Sequence, residues 1–146
     1  MNDRRFTSST SLAWYATIVL TATYTFSFID RQIVNLLVEP IKADLLLSDT
    51  QISFLQGLAF VVPYLILSIP AGRLVDTVSR VKVLIVGILF WSVACVFCGL
   101  SKTMTQLAIG RMGVGAGEAS VTPAAWSLLA DYFPEDKRGL PAVSYT

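Results

Sequence analysis

The feature that most constrains this chain is a succession of long stretches without charge. Thr7 to Ile29 carries no Asp, Glu, Lys or Arg, and neither does Thr50 to Gly72 or Val83 to Ser101. A fourth stretch, Thr103 to Ala130, is broken only by Arg111 and Glu118. Crossing a hydrocarbon core of about 30 Å takes about 20 helical residues. Inside lipid the backbone must satisfy its own hydrogen bonds, which selects helices. Only 14% of the 146 residues are charged and 54% are hydrophobic, against about a quarter charged in soluble domains. The chain therefore reads as an all-α membrane protein with four transmembrane helices, at about 12–38, 50–71, 82–101 and 105–130. Residues 1–11 read as a cytoplasmic tail, and 131–146 as a cytoplasmic loop with the start of a fifth helix.

Several function classes lose support early. Arg4-Arg5-Phe6 before an apolar stretch suggests an export signal. That stretch, however, exceeds the ~7–15 residues of a signal core, and no small-residue cleavage pattern precedes Asp30. A net charge of +1 gives no bulk field to recruit nucleic acid. The absence of His removes the commonest metal ligand and general base. Cys95 and Cys98 lie inside the third stretch, where cysteine behaves as a small hydrophobe. No nucleophile–base pair, metal-ligand cluster or phosphate loop is present, so neither an enzyme nor a cofactor or metal is expected. Gly113 to Gly117 does not fit a dinucleotide fingerprint, because no strand precedes it.

Orientation follows from the basic residues. Arg4, Arg5, Arg73, Arg80, Lys82, Lys137 and Arg138 fall on one side of the predicted spans, and only Lys42 and Lys102 on the other. The positive-inside rule puts the N-terminus in the cytoplasm, with an inner (plasma) membrane of bacterial type as the expected location. Arg31 and Arg111 are left inside the membrane.

Local signals punctuate the spans. Ile33, Val34, Leu36, Leu37 and Val38 carry the first span past Asp30-Arg31, and Pro40 limits it, since the residue before proline disfavours helix. Ser48 or Asp49 is expected to cap the second helix. Pro63 and Pro70 predict kinks within it.

The connection between the second and third spans is short and charged. Gly72 is expected where the backbone turns. Asp76 is placed to cap or face a helix N-terminus, and Arg80 to pair with Asp131 at the end of the fourth span. This stretch resembles the signature loop of the major facilitator superfamily, Gly-x-Leu-Ala-Asp-Arg-x-Gly-Arg-Lys followed by leucine. Gly72, Leu74, Asp76, Arg80 and Leu84 match it, while Thr77, Ser79 and Val81 depart from it and leave it less charged. The resemblance implies a cytoplasmic gating latch built on Gly72, Asp76, Arg80 and Asp131.

Four charges remain within the spans: Asp30, Arg31, Arg111 and Glu118. Each costs about 2.5–3.5 kcal/mol at a helix centre on insertion scales, so such groups face the interior and pair. At about 1.5 Å per residue, Asp30 lies about 27 Å from an inner boundary at Leu12, and Arg111 about 27 Å from one at Leu129. They are level, and Asp30 is expected to meet Arg111, with Arg31 turned to the cavity or to Glu118. Gly113 and Gly117 form a small-xxx-small pair for close helix approach.

The resemblance then narrows. Phe28-Ile29-Asp30-Arg31, Glu39-Pro40-Ile41-Lys42-Ala43-Asp44-Leu45, Leu47-Ser48-Asp49-Thr50-Gln51 and Gly57-Leu58-Ala59-Phe60 look like the spinster-like branch. Arg111-x-Gly113-x-Gly115-x-Gly117-Glu118-Ala119 and Ser127-Leu128-Leu129-Ala130-Asp131-Tyr132-Phe133-Pro134 complete it. It implies the first part of a six-helix half of a secondary transporter. Such a transporter moves a small organic or lysolipid-like solute, anionic ones included, coupled to protons by alternating access. Asp30 and Glu118 would be the proton-linked acids, with Arg31 and Arg111 holding them in register or meeting an anionic head group. The expected partners are the lipid bilayer, the solute, protons and a missing C-terminal half, of which the chain would be the N-terminal complement. The competing reading is a truncated, non-transporting module or a small oligomeric helical membrane protein.

Overall fold

A computed structural model describes residues 10–132, with side chains from Trp14 to Asp131. Residues 1–9 and 133–146, which include Arg4, Arg5, Lys137, Arg138 and the expected fifth-helix start, lie outside the described residues. Six helices follow in order: α1 (Thr10–Leu36), α2 (Val38–Leu45), α3 (Asp49–Gln56), α4 (Leu58–Thr77), α5 (Arg80–Gly99) and α6 (Met104–Tyr132). There is no strand among the described residues.

The elements answer to local chemistry, with several differences from the expected boundaries. The first break falls at Leu37, and helix resumes at once, with Pro40 in the first turn of α2. Early helical positions need no intrahelical N–H, so a proline there ends nothing. Ser48 caps α3: its side chain accepts from the Gln51 backbone N–H, and the Gln51 side chain accepts from the Ser48 N–H at 2.9 Å. That reciprocal arrangement satisfies two otherwise orphaned donors.

The second apolar stretch is interrupted at Gly57, whose backbone leaves helical geometry at φ −97° and ψ −89°. Pro63 and Pro70 both lie inside α4. Helix α4 also runs on to Thr77, so Gly72 sits within it rather than at a turn, and the chain reverses at Val78-Ser79. Asp76 is exposed in the last turn of α4, and Ser79 caps α5 without a side-chain bond, so Asp76 is not a cap. Extending the helix by two turns keeps the polar end of α4 hydrogen-bonded until Val78 adopts extended backbone.

Helix α6 is the hub, with α4 and α5 packed along it and α1 touching it more lightly. Glycines set the spacing. A Cβ on Gly117 would lie 2.7 Å from the Trp91 backbone nitrogen, and one on Gly113 3.0 Å from the Ala94 Cβ. The small-xxx-small pair therefore receives α5. Gly115, on another face, receives the backbone of Phe60 on α4.

Outward-facing side chains are apolar: Ile18, Phe26, Ile66, Ile69, Val86 and Val93 are each about two-thirds exposed. Soluble monomers rarely present such continuous apolar surface. Two helical stretches, Asp49–Thr77 and Arg80–Gly99, are long and apolar enough to cross a membrane. Helices α1 and α6 have the length, at 27 and 29 residues, but carry the interior charges.

Candidate functional site

The interior charges converge where α1, α4, α5 and α6 meet. Two of them are almost wholly enclosed: Arg111 is 4% exposed and Glu118 2%. Asp30 and Arg31 are neighbours on α1, so their side chains diverge by about 100°, and the structure sends them to different helices. Arg31 reaches α6 and forms an ion pair with Glu118, its Nε donating to Glu118 Oε2 at 3.0 Å. Asp30 turns to α5. Its Oδ2 accepts from the Trp91 indole Nε1 at 2.7 Å and from the Cys95 thiol at 3.2 Å.

This corrects the expected Asp30–Arg111 contact. The two groups line one cavity but share no hydrogen bond among the described residues. Helical rise sets the two groups at level heights but leaves azimuth free, and the face of α1 carrying Asp30 looks onto α5. Cys95 is half-buried and packs on the Phe60–Trp91–Val114 cluster as a small hydrophobe, and its thiol in addition donates to Asp30.

Arg111 finds an aromatic surface in place of a carboxylate. Its guanidinium carbon lies 5.2 Å from the centre of the Phe60 ring, and that of Arg31 lies 5.0 Å from the same ring. Arg31 is also 5.8 Å from the Tyr64 ring, which stacks on Phe60 at 5.9 Å. Two cations thus share one aromatic platform, an arrangement that favours positive charge by about 0.5–2 kcal/mol per contact. Phe60 is placed by Gly115, because any side chain there would strike the Phe60 carbonyl. Sequence reasoning missed Phe60, Tyr64, Trp91 and Cys95 as members of the site. Two arginines against two acids predict pairing by charge alone, so the sequence carried no signal for the aromatic platform.

Two polar atoms are left over. Arg111 Nε and Glu118 Oε1 are buried without a hydrogen-bond partner. Arg111, but not Glu118, borders a cavity of about 450 Å³ whose polar lining also includes Asp30, Asp44, Cys95 and Cys98, with apolar walls such as Val34, Leu37 and Leu107. At the other end of the molecule Arg80, at the start of α5, forms an ion pair with Asp131 at the end of α6. Gly72 and Asp76 are near in sequence but take no part in that pair. No cluster able to hold a metal ion occurs among the described residues.

A charge cluster at a helical junction, glycine-spaced helices and an apolar exterior describe a helical bundle suited to a membrane. Comparison with known families decides which. The family model of the Major Facilitator Superfamily matches residues 20–143. The chain belongs to the major facilitator superfamily.

Within that superfamily the chain is 35% identical over 134 residues to an MFS-type efflux pump of Mycolicibacterium smegmatis, covering 92% of this chain and 31% of the relative. It is 31% identical over 115 residues to a probable L-galactonate transporter of Escherichia coli, covering 79% of this chain and 25% of that one. Among solved structures it superposes, with a TM-score of 0.91 and 35% identity, on a bacterial homologue of the human lysosomal transporter Spinster in its inward-facing, unoccupied conformation. That match covers 94% of this chain and 29% of the other, and the inward-facing, occupied conformation gives the same score. The chain is a spinster-like member of the superfamily and spans about a third of the length of the relatives it matches. The relatives named are transporters, not enzymes.

Proposed function

We propose that this chain supplies the first four membrane spans of a proton-coupled secondary transporter. Its N-terminus is cytoplasmic, in a plasma membrane of bacterial type, and it acts by alternating access on a small organic or lipid-like solute, anionic ones included. The observation that carries this reading is the unequal pairing of Glu118. One carboxylate oxygen holds Arg31 across 87 residues of sequence, the other is buried outside hydrogen-bond geometry, and the buried Ser27 hydroxyl on α1 faces the same carboxylate. A carboxylate so placed can exchange its cation for a proton. That exchange frees Arg31, changes the charge at the α1–α6 contact and biases two packings of the same helices. Asp30 is the second proton acceptor, bordering the cavity. Arg111, unpartnered at Nε and resting on Phe60, meets an anionic group of the solute.

Four spans rather than two are proposed because α1 and α6 have spanning length and their charges turn inward, Arg31 to Glu118, Asp30 to Trp91 and Arg111 to Phe60. Superfamily transporters place solute at the midplane between repeated halves, so the remaining length of a full transporter completes the cavity. At the cytoplasmic end, Arg80–Asp131 forms the latch, beside Gly72 and Asp76.

The test is a chimera in which this chain replaces the matching segment of the full-length M. smegmatis pump, assayed for proton-driven transport in vesicles. Glu118→Gln and Asp30→Asn are each expected to abolish the dependence on a proton gradient. Retention of proton-driven transport in both variants rejects the assignment of the acids.

A further inference from the structure

Helix α5 contributes no charge to the interior cluster, yet it holds one of its members. Trp91 and Cys95 are four residues apart, hence on one face of the helix, and both donate to the same atom, Asp30 Oδ2. The other oxygen, Oδ1, has no hydrogen bond among the described residues, and Asp30 borders the cavity. An indole N–H can only donate, and a thiol donates weakly. Both bonds are strongest when the acceptor carries charge.

We infer that Trp91 and Cys95 are the positioning pair for Asp30, and that through them α5 senses whether that carboxylate is charged. The inference rests on the reading of Asp30 as a proton-exchanging acid. With the carboxylate ionised, two charge-assisted bonds tie the outer part of α1 to α5, and the proton enters at the open Oδ1. With the carboxyl neutral, the same donors face a weaker acceptor and the tie loosens. Helix α1 is otherwise lightly packed on the bundle, so a change in this tie bears on its freedom to move.

The other charged and titratable groups facing Asp30 do not take over the role. Arg31 points away to Glu118, and Glu118 on α6, the other acid within electrostatic reach of Asp30, is held by Arg31 rather than bonded to Asp30. Arg111 on α6 rests on Phe60. Cys98 on α5 and Asp44 on α2 line the cavity without bonding to Asp30.

The test uses the 146-residue chain in lipid vesicles, with Cys98→Ala leaving Cys95 as the only thiol, read by the infrared S–H stretch. The band is expected at the low frequency of a thiol bonded to a charged acceptor, shifting upward on acidification. Asp30→Asn should give the upshifted band at every pH, and Cys95→Ser should remove the band. In a Trp14→Phe, Trp126→Phe background, Trp91 emission should shift with the same midpoint as the S–H band.

An S–H band at free-thiol frequency, unmoved by Asp30→Asn in a chain still helical by circular dichroism, overturns the positioning role. A band that responds to Asp30→Asn but not to pH keeps the positioning bond and rejects the sensing step, together with Asp30 as a proton carrier. A pH-responsive band alongside proton-driven transport that survives Asp30→Asn leaves this inference standing while the functional reading of Asp30 fails.

Discussion

The carbonyl of Phe60 rests on Gly115, and the position of the aromatic ring between Arg31 and Arg111 depends on that contact. A methyl group at Gly115 has to push α4 off α6, since the obstacle is backbone rather than a flexible side chain. Overpacking of this kind costs typically 1–3 kcal/mol. Gly115→Ala is therefore expected to destabilise the bundle by about that amount in denaturant titrations in detergent micelles. Gly72→Ala is the control that separates the two classes of glycine. It lies inside α4 with nothing within 4 Å of an added Cβ, so alanine should stabilise the helix by roughly 0.5–1 kcal/mol. Loss of stability at Gly72→Ala would restore Gly72 to a turn.

Replacing Phe60 by leucine keeps an apolar side chain of similar reach but removes the ring quadrupole. With two guanidiniums on the ring, the expected loss is about 1–4 kcal/mol, from roughly 0.5–2 per contact. Arg111→Gln should recover part of it, because the cation that needed the ring is then gone. The measurement is a double-mutant cycle on unfolding free energy. A coupling energy indistinguishable from zero would mean that Phe60 serves only as volume.

The contrast between what was and was not readable follows the reach of each interaction. The cap of α3 was readable to within one residue, Ser48 or Asp49, because the whole motif that Ser48 completes with Gln51 lies within four residues. The apolar stretches and the interior position of Arg111 and Glu118 are equally local, and the Gly113/Gly117 spacing foretold a close helix neighbour. Partners are another matter. Trp91 and Cys95 look like filler in an apolar run, and only the azimuth of α1 against α5 turns their donors toward Asp30. The break at Gly57 was hidden behind Pro63 and Pro70, which membrane helices tolerate. Gly72 was misassigned because a glycine near a reversal is ambiguous by one or two turns until the helix is traced.

Glu118 and Arg31 provide a sharper energetic test. Glu118 is enclosed while the Arg31 side chain is 40% exposed, so removing the acid leaves a cation that water can partly solvate. The cost of Glu118→Gln should thus fall below the 3–5 kcal/mol typical of breaking a fully buried pair, at about 1–3 kcal/mol. Arg31→Gln should cost at least as much, since it leaves the enclosed carboxylate alone. The double variant is expected to be more stable than Arg31→Gln, as read by the same unfolding titrations. A double variant less stable than either single would show that the two groups act independently.

The Arg80–Asp131 pair separates stability from function. Both side chains are substantially exposed, at 31% and 49%, and exposed ion pairs contribute about 0–1 kcal/mol. Arg80→Ala should therefore leave unfolding of the chain nearly unchanged. In the chimeric transporter the same pair joins the start of α5 to the end of α6 on the side proposed to be cytoplasmic, where the proposed alternation has to separate and rejoin helix ends. A latch worth about 1 kcal/mol shifts a two-state equilibrium roughly fivefold, enough to change the cycling rate without affecting the fold. Arg80→Ala is expected to slow or uncouple transport several-fold at constant protein level, and the exchange Arg80→Asp with Asp131→Arg should recover much of the rate. Transport that is unaffected by the single variant and by the exchange would reduce the pair to a surface contact.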